Sequence, residues 1–190
     1  MIFESGLPET PCGAGSTMVN TAELRAALPG LLRDLKCKVL VDAPCGDLNW
    51  MSQVDLSGIR YVGIDVAERI EDARARAAAL RADDVRLEVR DIVRSALAPA
   101  DVVLCRDFLQ HLPNVMVDAV LRNIFASGAD WLLVTSHNVP RNADLDTVGG
   151  FRPLNLRLPP FSFFPSAVIK DCGRELLVVP GHALAMEVAA

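Results

Sequence analysis

Residues 38–47 read Lys-Val-Leu-Val-Asp-Ala-Pro-Cys-Gly-Asp, an apolar run that ends in an acid and then enters a turn. A short apolar run bounded by turn residues is typical of a buried strand. The same form recurs at residues 61–65, which read Tyr-Val-Gly-Ile-Asp. Three further runs of strand character follow, at residues 85–89, 101–105 and 131–135. We therefore predict five strands.

Helical patterns alternate with these strands. Residues 68–82 are rich in Ala and Arg, and residues 117–125 place four apolar side chains on one face, namely Val117, Val120, Leu121 and Ile124. Ahead of the first strand, residues 20–23 have the spacing of a capping box and leucines follow at the helical period, so a helix is predicted that Pro29 kinks or splits. Strict alternation of strand and helix predicts an α/β fold with a Rossmann-like, doubly wound and mostly parallel sheet.

After the fifth strand the alternation stops. Residues 137–165 contain five prolines and a Gly-Gly pair, which predicts a long irregular loop, and such loops are usually functional. Residues 167–170 and 182–188 are predicted to close the sheet as an antiparallel C-terminal hairpin. The expected organisation is one domain over residues 1–190, divided into an N-terminal lid and helix, a ligand-binding core, a substrate-side loop and the hairpin, at 1–36, 37–136, 137–165 and 166–190.

Composition limits the function. A chain of 190 residues with 51% hydrophobic and 23% charged residues is expected to fold as one domain with a full core. Its net charge of -5 disfavours a nucleic-acid partner, because phosphate binding needs positive charge. No signal peptide or membrane-spanning run is recognised, so we predict a soluble, cytoplasmic protein with no membrane partner. Five cysteines without a C-x-x-C pair argue against a disulfide framework and against a metal site.

Acidic residues follow successive strands. Asp42 and Asp65 end the first two strands, Asp91 follows the third, and Arg106 and Asp107 follow the fourth. Open parallel sheets bind ligands beyond the carboxyl ends of their strands. Any one of these acids alone would be explained as a helix cap or a solvated turn. Together they predict a ligand site at that edge.

These residues resemble the class I S-adenosylmethionine-dependent methyltransferases. The resemblance covers the chain from about residue 13 onward and is carried by residues 42–51 and 61–65, which are similar to one bacterial branch of that superfamily. It implies that the turn after the first strand holds the methionine part of the cofactor, through Asp42, Ala43, Pro44, Cys45 and Gly46. It further implies that Asp65 holds the ribose and that Asp91 with Ile92 holds the adenine. Arg106 is assigned to the cofactor, and the residues that follow it face the substrate.

The turn departs from the usual glycine-rich pattern. Pro44 stands where a first glycine is common and Leu48 where a third is, so only Gly46 remains. This counts against an NAD-dependent oxidoreductase, whose G-x-G-x-x-G turn needs its glycines. Residues 13–17 resemble a phosphate loop only loosely, and we expect them to fold over the amino-acid end of the cofactor.

Candidate catalytic and substrate residues lie after the fourth and fifth strands. Asp107, His111 and His137 are candidates for taking a proton from the methyl acceptor, although each is also explained as a capping or packing group. Arg152 and Asn155 are predicted as polar contacts of the acceptor in a loop whose phenylalanines wall a pocket. The alternatives are that the phenylalanines close the core and that Arg152 pairs with a nearby acid.

Two functions remain open from the sequence. The first is an S-adenosylmethionine-dependent methyltransferase that acts on an oxygen or nitrogen of a small molecule or sugar. The second is a catalytically silent domain of the same fold that binds the cofactor or a partner protein.

Overall fold

The computed structural model describes residues 9–181, which form a seven-stranded sheet with helices on both faces. The strands are β1 Val39–Asp42, β2 Asp55–Asp65, β3 Arg81–Val89, β4 Val102–Cys105, β5 Trp131–Ser136, β6 Ala167–Asp171 and β7 Arg174–Pro180. The helices are α1 Ala22–Asp34, α2 Ala67–Ala77 and α3 Asn114–Ala126. Short 3-10 turns cover Ala14–Ser16, Met51–Gln53 and Leu109–His111.

The sheet order is β3-β2-β1-β4-β5-β7-β6. Strands β1 to β5 are parallel, and β7 runs antiparallel to both β5 and β6. This confirms the predicted fold class. The chain winds outward from β1 to β3 and then returns to β4 on the other side of β1, so the strand order reverses between β1 and β4.

Each face of the sheet is covered by helices because the strands are apolar on both sides. Leu24, Leu28 and Leu32 of α1 are fully buried against one face, together with residues of α2. The predicted stripe of α3 is buried against the opposite face. Burying one such leucine contributes roughly 1.5–3 kcal/mol, so each helix is held mainly by this packing.

Several element boundaries differ from the prediction. The helix predicted over residues 68–82 ends at Ala77, and β3 already begins at Arg81. Pro29 does not split α1, because leucines on both sides of it are buried in one core. The capping box does not form, because the Thr21 hydroxyl donates to the Thr17 carbonyl (2.8 Å) instead of accepting from the helix.

The hairpin has a different second strand from the one predicted. Its strands are β6 and β7, so the partner of β6 is residues 174–180, while residues 182–188 lie outside the described part of the chain. The loop over 137–165 has no helix or strand, as predicted, and Phe161 and Phe163 are buried in the core beneath it. Among residues 9–181, no helix has the length and apolar character that crossing a bilayer demands.

Candidate active site

A cavity of about 260 Å³ opens at the carboxyl edge of the sheet, where the strand order reverses. Its wall is built mainly from residues that directly follow β1, β2 and β4, including Asp42, Pro44, Cys45, Gly46, Asp47, Asp65, Arg106 and Asp107. Asp91 and Ile92 border a smaller adjoining cavity of about 50 Å³, which shares Pro44 and Asp65 with the first. The structure therefore brings the acids of the strand ends together, as their positions predicted.

The turn after β1 is tied to the end of β2. Gly46 has φ +59, and a Cβ there would lie 2.9 Å from Cys12 Sγ, so this position requires glycine. The Gly46 N–H donates to Asp65 Oδ2 (2.7 Å). Leu48, at the place of a third glycine, also has a left-handed φ of +59 and buries its side chain in the core. The turn thus keeps a glycine-like shape without its usual glycines.

Asp65 is placed to accept further hydrogen bonds from the cavity. Its Oδ1 accepts from the Val66 N–H (2.7 Å) and its Oδ2 from Gly46, so each carboxylate oxygen keeps accepting capacity. The residue is 8% exposed, and burial raises the pKa of its carboxyl group. A carboxylate in this position suits a pair of neighbouring hydroxyl groups.

Two more carboxylates line the same wall. Asp42 is buried and accepts from the Tyr61 hydroxyl (2.6 Å), and burial raises its pKa to about 7. Asp47, which the sequence reasoning missed, is 2% exposed. The Arg76 guanidinium lies 3.1 Å from Asp47 Oδ2, but its hydrogen bond goes to the Asp47 carbonyl (3.2 Å), so Oδ2 has no hydrogen-bond donor. This buried oxygen therefore has an ion-pair partner in Arg76 but no hydrogen-bond donor. The position of Asp47 beside Gly46 was the available signal in the sequence.

Arg106 forms the opposite part of the wall. Its guanidinium binds Asp171 at the end of β6 through two hydrogen bonds (2.8 and 2.9 Å), donates to the Gly15 carbonyl (2.9 Å) and stacks 5.2 Å over the Trp50 ring. Both charges of the Arg106–Asp171 pair are buried. The pair fastens the C-terminal hairpin and the segment around Gly15 to the cavity. Asp171 and Trp50 were not predicted as site residues.

Comparison with known proteins agrees with this geometry. Residues 41–129 match a family model described as a methyltransferase domain. Residues 41–129 carry a methyltransferase domain. No match to the chain was found among curated proteins.

Solved structures of other methyltransferases share the fold of this methyltransferase domain. Magnesium protoporphyrin IX methyltransferase from Synechocystis PCC 6803 with bound SAH is 14% identical over 87% of this chain and 85% of that one, with a TM-score of 0.61. Mitomycin 7-O-methyltransferase MmcR is 17% identical over 86% of this chain, with a TM-score of 0.61, and this chain covers 56% of it. Human N-acetylserotonin methyltransferase in complex with SAM is 16% identical over 85% of this chain, with a TM-score of 0.61, and this chain covers 51% of it.

The cavity of the methyltransferase domain fits its cofactor, S-adenosylmethionine. The cofactor carries a sulfonium, an ammonium group and a ribose diol. Three carboxylates, Asp42, Asp47 and Asp65, line the cavity and are the type of group that would bind such positive and hydrogen-bond-donating groups, and Gly46 allows close backbone approach. Asp91 accepts from the Val93 N–H (2.9 Å) at the smaller cavity, on the side that the resemblance assigns to adenine.

Asp107 of the methyltransferase domain is held in an ion pair. Both of its carboxylate oxygens lie 2.8 Å from Arg174 Nη1, Gln110 donates to Oδ1, and its backbone N–H donates to Thr135 (2.8 Å). A Cβ on Gly15 would lie 2.0 Å from Asp107 Oδ2, so the N-terminal segment packs directly on this pair. Asp107 is therefore poorly placed to act as a free base.

The two candidate histidines flank one aromatic ring. His111 and His137 lie 5.8 and 5.9 Å from Phe151, centroid to centroid, and Phe151 is 63% exposed. His111 Nδ1 lies 2.7 Å from the Gly150 carbonyl, and the Leu154 N–H donates to His137 Nδ1 (3.2 Å). Burial lowers the pKa of His137. Neither histidine borders the 260 Å³ cavity, which reaches their side of the site only through Asp107 and Phe108.

Arg152 and Asn155 do not line the cavity. Arg152 is 4% exposed and donates to the Leu112 carbonyl (2.7 Å) and to the Asn114 side chain (2.6 Å). Asn155 donates to the Val139 carbonyl (2.8 Å) and is also buried. The geometry contradicts their prediction as acceptor contacts, because their hydrogen bonds already go to neighbouring protein groups. Phe161 and Phe163 close the core, as the alternative for the phenylalanines held. The alternative for Arg152 was wrong in its partner, because Arg152 binds backbone carbonyls and Asn114 and not an acid.

Proposed function

We propose that the protein transfers the methyl group of S-adenosylmethionine to an oxygen or nitrogen of a small molecule or sugar, by in-line displacement. The observation that carries this proposal is the group of three carboxylates around Gly46 at the point where the strand order reverses. The bound cofactor supplies a methyl group that is already activated by the sulfonium. The protein then has to position the acceptor and, where the acceptor is a hydroxyl, remove its proton.

In this proposal, different residues of the cavity wall bind different parts of the cofactor. Asp65 has accepting capacity for two ribose hydroxyls, while Asp42 and Asp47, which line the same cavity, would bind the positive charge of the cofactor. Burial increases the strength of these interactions, because competing water is reduced. Gly46 presents backbone without a side chain. Arg106 is neutralised by Asp171 and therefore does not repel a cationic ligand strongly.

The hydrogen bonds of the histidines assign them different roles. A carbonyl can only accept, so His111 donates from Nδ1 to Gly150 and its Nε2 carries a lone pair. His137 Nδ1 lies 3.2 Å from the Leu154 N–H and 3.4 Å from the Leu154 carbonyl, and the shorter contact favours Nδ1 as the acceptor with the proton on Nε2. We infer that His111 is the general base for a hydroxyl acceptor and that His137 is a hydrogen-bond donor to the acceptor. Asp107, paired with Arg174, orients this side of the site.

The acceptor class is supported by the structural neighbours. The names of the three neighbours describe enzymes for magnesium protoporphyrin IX, for the 7-oxygen of mitomycin and for N-acetylserotonin, which are all small molecules. The acidic net charge of -5 disfavours a nucleic-acid acceptor. We propose a small-molecule acceptor and an intracellular site of action for this chain.

Two measurements test the proposal. Isothermal titration calorimetry with S-adenosylmethionine and with S-adenosylhomocysteine is expected to show binding of both. Incubation with S-adenosylmethionine and a panel of phenols, alcohols, hexoses and amines is then followed by mass spectrometry for a product heavier by one methylene unit. Failure to bind either nucleoside overturns the proposal. If S-adenosylmethionine binds but no methylated product forms, either with the panel or with metabolites from a cell extract as acceptors, the catalytically silent domain is favoured.

A further inference from the structure

Two segments on the acceptor side of the site are joined by backbone hydrogen bonds. The Gly149 N–H donates to the His111 carbonyl (2.9 Å), and the Arg152 N–H donates to the Gln110 carbonyl (3.1 Å). Between them, His111 Nδ1 donates to the Gly150 carbonyl (2.7 Å). Residues 149–152 therefore determine both where His111 lies and which of its nitrogens carries the proton.

The Arg152 side chain binds the same turn from inside. Its Nη1 donates to the Leu112 carbonyl at 2.7 Å, with longer contacts to the carbonyls of Leu109 (3.4 Å) and Gln110 (3.3 Å). Its Nη2 donates to Asn114 Oδ1 (2.6 Å), at the start of α3. These carbonyls belong to the 3-10 turn that carries His111 and to the residue after it. One planar guanidinium thus spans the whole turn.

Arg152 is unusual because it is a buried cation held almost entirely by neutral groups. It is 4% exposed, and no carboxylate among residues 9–181 forms an ion pair with it. Burial of the guanidinium lowers the pKa of Arg152. Burying a charge is costly unless its hydrogen bonds are used well. A hydrophobic side chain would fill the same space at less cost, but it would deprive the Leu112 carbonyl and Asn114 Oδ1 of these donors.

We propose that Arg152 is the positioning residue for His111. By binding the carbonyls of Leu109, Gln110 and Leu112 it keeps this turn against residues 149–152. His111 then donates from Nδ1 to Gly150 and keeps Nε2 free to accept a proton from the acceptor. This inference rests on the proposed function, because it gives His111 the role of base. It replaces the expectation that Arg152 itself contacts the acceptor.

The tautomer of His111 tests the proposal directly. Long-range ¹H–¹⁵N spectra distinguish Nδ1–H from Nε2–H imidazoles, and the chain contains only three histidines. In the wild type we expect His111 as the Nδ1–H form and His137 as the Nε2–H form. In Arg152→Met, His111 is expected as a mixture of both tautomers, while His137 keeps its form and reports that the fold is intact. Arg152→Lys supplies one ammonium for the Leu112 carbonyl and is expected to restore most of the Nδ1–H form.

Arg157→Met is the matched control, because Arg157 lies in the same loop and pairs with Glu175 instead. It is expected to leave both tautomers unchanged. On any panel compound that the wild type methylates, Arg152→Met should lower kcat about 10- to 100-fold, a part of what general base catalysis contributes. The Kd for S-adenosylhomocysteine should stay within about twofold, since the histidine side of the site does not contact the cofactor cavity.

The outcomes separate this inference from the proposed function. A His111 that stays in the Nδ1–H form in Arg152→Met overturns the inference, and so does a wild-type His111 in the Nε2–H form. If Arg152→Met fails to fold, Arg152→Lys decides: a minor Nε2–H fraction of His111 with a proportionate fall in kcat supports the inference, and a His111 that stays wholly in the Nδ1–H form while kcat falls overturns it. If the wild type does not bind S-adenosylhomocysteine, the proposed function is refuted, whatever the tautomers show.

Discussion

Replacing Asp65 by Ala should weaken the binding of S-adenosylhomocysteine by about 2–4 kcal/mol. The two carboxylate oxygens each accept one backbone N–H at 2.7 Å, which leaves each able to accept one ribose hydroxyl. A hydrogen bond to a charged group contributes about 1.5–3 kcal/mol, so two bonds contribute about 3–6 kcal/mol. Water that enters the variant cavity recovers part of this. The expected loss corresponds to a rise in Kd of about 30- to 900-fold.

Calorimetry measures this change, and deoxynucleosides identify its cause. The wild type should lose affinity for the 2′-deoxy and 3′-deoxy forms of S-adenosylhomocysteine, whereas Asp65→Ala should bind them about as well as the parent compound. Asp55→Ala is the matched control, since Asp55 lies at the opposite end of β2 and, within residues 9–181, hydrogen-bonds only to Ser57 and Arg81. A Kd for Asp65→Ala within about threefold of the wild type refutes the assignment. Equal sensitivity of both proteins to the deoxy compounds would show that Asp65 acts through the turn instead.

Three other substitutions probe the same cavity. Gly46→Val should abolish cofactor binding and lower the free energy of unfolding by about 1–2 kcal/mol, because a Cβ would lie 2.9 Å from Cys12 Sγ at a left-handed φ of +59. Normal cofactor binding by a folded variant would show that the cofactor does not bind at this turn. The pKa of Asp42 is raised to about 7, so its carboxyl group is largely protonated at pH 6 and largely ionised at pH 8. Because the ionised form binds a cation better, affinity for S-adenosylhomocysteine should rise between pH 6 and 8. Calorimetry on Asp42→Asn should show no such pH dependence. Asp171→Ala should lower the free energy of unfolding by about 3–5 kcal/mol, because it leaves Arg106 buried and unpaired. The double variant Arg106→Met/Asp171→Leu removes both charges and should be more stable than Asp171→Ala. A urea titration in which it is no more stable would contradict this explanation.

The cofactor side of the site was predictable from short segments of sequence. Asp42, Asp65 and Arg106 each follow a strand directly, and parallel strands deliver their carboxyl ends to one edge. Their meeting at one cavity therefore needed only the identification of the strands. Asp47 was missed although it lies in the same turn, because neither the resemblance nor the strand-end rule assigns that position a role.

The acceptor side was much less predictable. Arg152 looked like a substrate contact because a cation among apolar residues is typical of a polar anchor in a pocket. Its actual partners include the carbonyls of Leu109, Gln110 and Leu112, which lie 40 to 43 positions earlier in the chain. The loop over 137–165 has no periodicity that would indicate which groups it contacts. The partners of Asp107 and Arg106 come from the hairpin at Arg174 and Asp171, whose second strand the sequence pattern located several residues too late.

The sequence by itself determined the alternating strands and helices, their two buried faces and the edge at which the acids gather. These features depend on the hydrophobic period and on the parallel direction of neighbouring strands, which are properties of short segments. Only the tertiary structure decided which charges are paired and which remain available. Arg106, Asp107 and Arg152 each take their partners from segments distant in the chain, and the hydrogen bond that assigns the proton of His111 comes from Gly150. Such pairings depend on the directions of individual donors and acceptors across the folded loops, and no local pattern of residues records them.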